Sequence, residues 1–203
     1  MRTLVIETAT AACSVAVLDD GDVVASAHDV VGRGHAERLV PMIAALPDGG
    51  RADRIVVDCG PGSFTGVRVG IAAARGLGLG WGVAVSGFSS LALLAAAAFA
   101  AMPGLDRVAV VLEGGHGEVF VQVFIRSLEP ESGLESLSPE AALTVIGTIY
   151  AVGSGLRRLY PQMEQASATG LPDAADAHLL PDASIALPPR PIYGRAPDAK
   201  PNS

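Results

Sequence analysis

Gly60-Pro61-Gly62-Ser63-Phe64-Thr65-Gly66-Val67-Arg68-Val69-Gly70 follows the apolar run Ile55-Val56-Val57 and the pair Asp58-Cys59. That order predicts a strand, a tight turn and then a helix. Ser63 is placed as the helix N-cap, its hydroxyl taking an orphan backbone N–H. Every fourth position is small: Gly62, Gly66, Gly70, Ala74, Gly78 and Gly82. Residues four apart share one ridge of a helix, so this ridge carries almost no side chains. Each interior Gly costs a helix about 1 kcal/mol against Ala. Packing must therefore hold this helix, and its bare ridge lets another backbone come close. We expect a docking surface for a second helix there, in this chain or in a partner. Arg68 and Arg75 lie on another face of the same helix.

Upstream, Thr3 to Glu7 reads as a buried strand and Thr8-Ala9-Thr10 as a polar turn. Ala12 to Leu18 and Val23 to His28 read as two more strands, joined by the turn signal Asp19-Asp20-Gly21-Asp22. Leu39, Met42, Ile43 and Leu46 have helical spacing, and Pro47-Asp48-Gly49-Gly50 ends that helix. Downstream, Val83 to Ser86 predicts a strand and Phe88 to Met102 an Ala-rich helix. Pro103-Gly104 marks a boundary, giving halves 1–102 and 103–203. Arg107 to Leu112 and Glu118 to Phe124 suggest a further hairpin, and Thr148 to Val152 a strand. Pro181 limits the stretch Pro172 to Leu187 to short helices. Pro188 to Tyr193 reads as an extended tail. Three hairpin-linked strands followed by alternating helices and strands predict an α/β fold with a mixed sheet. The second half looks too short to mirror the first, and no tandem repeat is visible.

The chain has 203 residues, half of them apolar but only 4% aromatic, and a net charge of −7. This acidic balance argues against a basic nucleic-acid footprint, so direct tRNA binding by the isolated chain is expected to be weak. The sole lysine is Lys200, which removes a P-loop or Schiff-base lysine from the folded body. Cys13 and Cys59 read as reduced core residues. The N-terminus reaches Glu7 after too few apolar residues for a signal-peptide core. Gly76 to Leu105 holds no charge. Its helix would span only about 22 Å at ~1.5 Å per residue, short of a bilayer core. No membrane span and a cytoplasmic location are expected.

The familiar catalytic patterns fail. Thr65 stands where both the P-loop and the dinucleotide fingerprint need glycine, although the helix N-terminus could still attract an anion. Neither Ser63 nor Ser89 sits in G-x-S-x-G. Leu39 stands where the second histidine of H-E-x-x-H would be, and His28, His116 and His178 are scattered. Glu7, beside the hydroxyls of Thr8 and Thr10, and Glu113, before Gly114-Gly115, end strands. A carboxylate there holds Mg²⁺ near a phosphate in one reading and is a solvated strand end in the other.

These segments together resemble the bacterial TsaB (YeaZ) family of tRNA threonylcarbamoyladenosine biosynthesis proteins. The resemblance rests on Glu7 to Ala16, His35-Ala36-Glu37-Arg38-Leu39-Val40-Pro41, Gly60 to Gly70, Ala74-Arg75-Gly76-Leu77, Ser86 to Leu91, Gly117 to Phe120 and the tail Tyr193 to Pro201. It is strong to about residue 124. It departs at Glu7-Thr8-Ala9, where the family has Asp-Thr-Ser, at Glu113 to His116, where it has Asp-Ala-Arg, and at Arg75, where it has Lys.

The resemblance implies an actin/Hsp70/sugar-kinase type of fold: two ribonuclease-H-like halves with mixed sheets, the second reduced. It implies a non-catalytic scaffold and activator that binds and stabilises TsaD, with TsaE as a further partner and a homodimer when alone. ATP and a metal ion would belong to the partner subunits, none to this chain, and tRNA would be met only through the complex. The implied interface takes in His35, Arg38, Leu39, Met42, Gly62, Phe64, Gly66, Arg68, Gly70, Ala74 and Gly78. Glu7, Thr8, Thr10 and Glu113 would be vestiges of a nucleotide and metal site. The alternative is a stand-alone hydrolase of the same fold, peptidase-like or phosphoryl-transferring.

Overall fold

Strands β1 (Arg2–Glu7) and β4 (Arg54–Asp58) are apolar and buried almost end to end. Two-sided burial suits strands at the centre of a sheet covered on both faces. The computed structural model, which describes residues 1–161 and 170–194, sets these strands side by side and parallel, with Ile6 opposite Val57. β2 (Ala12–Asp19) pairs antiparallel with β1, and β3 (Asp22–Val30) with β2. Asp20 and Gly21 both have positive φ, 49° and 95°, as a two-residue hairpin turn of this twist requires. β5 (Ala84–Phe88) pairs parallel with β4, giving the order β3-β2-β1-β4-β5.

The second sheet holds β6 (Arg107–Glu113), β7 (Val119–Ile125), β8 (Glu135–Leu137) and β9 (Ala151–Val152), in the order β8-β7-β6-β9. Its first three strands are antiparallel and β9 runs parallel to β6. This repeats the strand-strand-strand-helix-strand-helix order of the first half at reduced length. The mirror that the sequence hides is present in the structure. It hides because β9 has only two residues, too few for a period-two pattern.

Among the described residues, five α-helices complete the layers: α1 (His35–Ala45), α2 (Phe64–Trp81), α3 (Ser90–Ala101), α4 (Pro139–Ile146) and the single turn α5 (Leu156–Leu159). α1 and α2 cover the outer face of the first sheet, around Leu4, Ile6, Leu39, Ile55 and Val67. α4 and α5 cover the far face of the second, around Val111, Val121, Ile146 and Leu159. α3 lies between the sheets. Its Leu91, Leu94, Ala95 and Phe99 share one core with Val5 and Val56 on one side and Val108 and Val110 on the other. A helix apolar all round belongs in such a place. The α3 part of the uncharged stretch is thus core, and no helix among the described residues is long and apolar enough to cross a membrane.

α4 lies in a stretch for which the sequence pattern predicts no element. Its start is in fact well marked: the Ser138 hydroxyl accepts from Ala141 N and Pro139 occupies the first turn. The change of sheet falls between α3 and β6, but the end of the chain does not stay with the second half. Ser14 Oγ donates to Asp173 (3.1 Å) and accepts from Ala174 N (2.8 Å), and Leu187 exchanges backbone hydrogen bonds with Gly87. Residues 173–194 therefore pack back on the first sheet. The family-like ending from Arg195 onward lies outside the described residues.

Candidate functional site

The glycine ridge of α2 faces inward. A Cβ on Gly62 would lie 2.0 Å from the Ala9 carbonyl oxygen, and one on Gly66 2.1 Å from that of Thr8. On Gly70 it would meet Thr8 Oγ1 at 2.4 Å, and on Gly78 the Val85 side chain at 2.4 Å. Ser63 N donates to Ala9 O (2.6 Å) and Thr8 Oγ1 donates to Gly66 O (2.8 Å). Ser63 caps the helix as expected, accepting from Gly66 N at 3.2 Å. The second backbone that the ridge admits is the chain's own Thr8-Ala9 turn, so the ridge is not an open docking surface for a partner.

The candidate metal and nucleotide residues fare differently from one another. Thr8 is buried and its hydroxyl is engaged on Gly66. Glu7 is neither solvated nor open to a phosphate: it is fully buried, with Oε1 accepting from Ala9 N at 2.7 Å. Asp58 ends the adjacent parallel strand and is equally buried, its Oδ1 accepting from Gly60 N and Ser90 Oγ. Among the described residues, Glu7 Oε2 and Asp58 Oδ2 have no hydrogen-bond partner. Burial, then the neighbouring Asp58 charge, pushes the Glu7 carboxyl well above the usual carboxylate range. Burial likewise pushes Asp58 up to about 7. A neutral carboxyl removes the cost of a buried unpaired charge. These residues do not fit a magnesium site, and the described residues contain no cluster of three metal-ligating side chains.

Thr10 and Glu113 do reach a shared space. A cleft of about 1360 Å³ lies between the two sheets, walled by Thr10, Ser63 and Arg68 on one side and by Glu113, Ser154 and Arg157 on the other. Partial burial raises the Glu113 carboxyl, but the Arg157 and Arg158 guanidiniums outweigh it and hold it below the ordinary range. Arg157 donates to Glu113 Oε2, and Arg158 Nε to Oε1 at 2.9 Å. The tail closes one end of the cleft. Arg75 donates to Pro189 O (2.6 Å), Ile192 N to Cys59 O (2.8 Å), and Arg68 to Tyr193 Oη (2.7 Å). The two outward arginines of α2 thus strap residues 188–194 to the helix.

Comparison with known proteins agrees with this arrangement. The family described as "TsaD: tRNA N6-adenosine threonylcarbamoyltransferase" matches residues 26–143. The tRNA threonylcarbamoyladenosine biosynthesis protein TsaB of Escherichia coli (strain K12) is 40% identical over 126 residues, 59% of this chain. That match spans only 53% of the E. coli protein, about half its length. An uncharacterized protein of Mycobacterium tuberculosis (strain H37Rv) is 31% identical across 98% of this chain and 93% of its own. A solved Pseudomonas aeruginosa protein, described as similar to peptidase YEAZ, is 30% identical and superposes with a TM-score of 0.74, covering 96% of this chain and 99% of its own. The chain belongs to the TsaB/YeaZ family.

Among the residues that the TsaB resemblance assigns to a partner surface, most lie inside. His35, Leu39, Met42, Gly66, Gly70, Ala74 and Gly78 are buried within the chain, and Gly62 is half-buried. His35 Nε2 lies 2.9 Å from both Thr10 O and Ala12 O. Carbonyls only accept, so this nitrogen carries the proton and pins the β1–β2 turn. Arg38, paired with Asp29, and Phe64 reach the surface, and Arg68 lies half-buried against Phe64 and Tyr193. Other exposed residues of the two outer helices include Ala36, Val40 and Ala44 on α1 and Ala72, Gly76, Leu79 and Gly80 on α2, flanked by the exposed Glu37 and Arg75. Sequence spacing signals these too, since each set repeats every three or four residues. Arg33, Arg157, Arg158 and Tyr193 escaped the reading, being single charges or rings with no periodic pattern.

Proposed function

We propose that the chain is a non-catalytic scaffold and activator subunit of the assembly that makes N6-threonylcarbamoyladenosine in tRNA, and that it acts by binding and stabilising TsaD. One observation carries the reading. The outer face formed by α1 and α2 carries two uncharged stripes that no described residue covers. Val40 is 59% and Leu79 87% exposed, and nothing lies within 4 Å of a Cβ built on Gly76 or Gly80. Small exposed residues on adjacent helices suit close helix-on-helix packing. The face serves TsaD in the complex and a second copy when the chain is alone, with TsaE joining as a further partner.

Catalysis, ATP and metal belong to the partner subunits in this reading. Support comes from Glu7 and Asp58, whose burial keeps both carboxyls from a substrate, and from Thr8, whose hydroxyl is already engaged. Copurification of the tagged full chain is the test. A TsaD-like chain should appear in the eluate. Its absence, together with ATP or peptide turnover by the purified chain alone, would favour a stand-alone hydrolase.

A further inference from the structure

The cleft carries the opposite charge from the molecule that contains it. The chain has a net charge of −7, yet the charged groups lining the cleft are Arg33, Arg68 and Arg157 against Glu113. Glu113 is shared between two guanidiniums, Arg157 and Arg158, so that pairing leaves positive charge over. Arg33, just beyond β3, is exposed, and among the described residues its guanidinium has no hydrogen-bond or ion-pair partner. Arg68 has no carboxylate partner either. Its guanidinium lies 3.3 Å from the Phe64 ring centroid and 5.5 Å from that of Tyr193, and donates to Phe64 O and Tyr193 Oη. The two rings are 69% and 60% exposed. Arg33 and Arg68, without a carboxylate partner among the described residues, point to an anionic occupant. The exposed Phe64 and Tyr193 rings beside the Arg68 guanidinium offer it a stacking platform.

We infer that the cleft receives a single-stranded RNA segment, its phosphates at Arg33 and Arg157 and a base at the Phe64–Arg68–Tyr193 group. This deepens, and rests on, the reading of the chain as part of a tRNA-modifying assembly. Two features favour a strand over a free nucleoside triphosphate. The cleft, at about 1360 Å³, exceeds the roughly 300–1,000 Å³ of ordinary small-ligand sites. A triphosphate would bring a divalent cation that needs carboxylates. Glu7 and Asp58 are buried away from the cleft, and Glu113 is held by its arginines. A phosphodiester asks only for positive charge.

Fluorescence anisotropy at low salt, with the full chain and a labelled single-stranded RNA of roughly 12 nucleotides, tests this. Saturable binding is expected, weakening as salt rises. Arg33→Glu should weaken it about fivefold or more and flatten the salt dependence. Phe64→Ala and Tyr193→Ala should each weaken it about fivefold to tenfold. All three side chains are exposed, so folding is retained. No saturable binding, unchanged affinity in Arg33→Glu, or displacement of the RNA by an equal concentration of ATP would each overturn the inference. Gly76→Leu, on the outer helical face, should keep full RNA affinity. Loss of RNA binding and loss of partner binding are thereby separate results.

Discussion

Thr8 Oγ1 donates a 2.8 Å hydrogen bond to the carbonyl oxygen of Gly66, and a Cβ on that same glycine would sit 2.1 Å from the Thr8 carbonyl oxygen. Two distant motifs are thus locked backbone to backbone. Gly66→Ala forces them apart and should destabilise the chain by about 3 kcal/mol, as overpacking does. Thr8→Val removes only the hydrogen bond and should cost about 1 kcal/mol. Urea unfolding of both variants checks the order. A Gly66→Ala midpoint equal to wild type would mean that α2 does not sit this close.

Gly76 gives the opposite sign. It is exposed on the same helix with nothing near its Cβ position. Gly76→Ala should therefore stabilise the chain by about 1 kcal/mol, the ordinary helix-propensity gain. A thermal melt should show the midpoint rising by a few degrees, roughly 2–4 °C for a chain of this size.

The direction of the glycine ridge is what the sequence could not settle. Repeats of four fix which residues share a face but not what that face meets, and the Thr8-Ala9 turn is remote in the chain. The strands of the first sheet, β6 and β7, the N-cap at Ser63 and the C-terminal end of α1 were legible because period and capping are local. The burial of Glu7 and Asp58 was not, since an acidic residue at a strand end reads equally as solvated. Nor was the return of the tail, because Pro188 to Tyr193 has no periodicity and only its contacts with Arg75 and Arg68 reveal it.

The buried acids set a pH dependence. Both folded values lie above the ordinary carboxylate range, so the folded chain holds protons that the unfolded chain releases. Stability should be greatest at mildly acid pH and fall as pH rises from about 4 towards about 7. Asp58 alone contributes on the order of 4 kcal/mol to that fall. Glu113 works the other way, its depressed value costing stability below the carboxylate range. Asp58→Asn should flatten the fall between about pH 4 and 7, the window set by its shift. Denaturant titrations across pH check it, and an unchanged slope would refute the account of this pair.

The strap should loosen without unfolding the chain. Arg68→Ala with Arg75→Ala removes the contacts to Tyr193 and Pro189. Being exposed, these contacts should add less than about 1 kcal/mol to global stability. Limited chymotrypsin digestion should nevertheless cut faster after Tyr193, which Gly194 follows, in the double variant. Equal cutting rates would show that the backbone bonds of Leu187 and Ile192 hold the tail by themselves.

The central claim is that the outer α1–α2 face, and not the inward glycine ridge, meets TsaD. Size-exclusion chromatography with light scattering, on mixtures with the TsaD-like protein of the same organism, tests it most directly. Wild type should co-elute with that protein. Gly76→Leu and Leu79→Asp should stay folded, melting within a few degrees of wild type, yet elute separately, because both place bulk or charge where a partner helix must approach. Separate elution of the wild-type chain, or co-elution of Gly76→Leu as complete as wild type, would contradict the account.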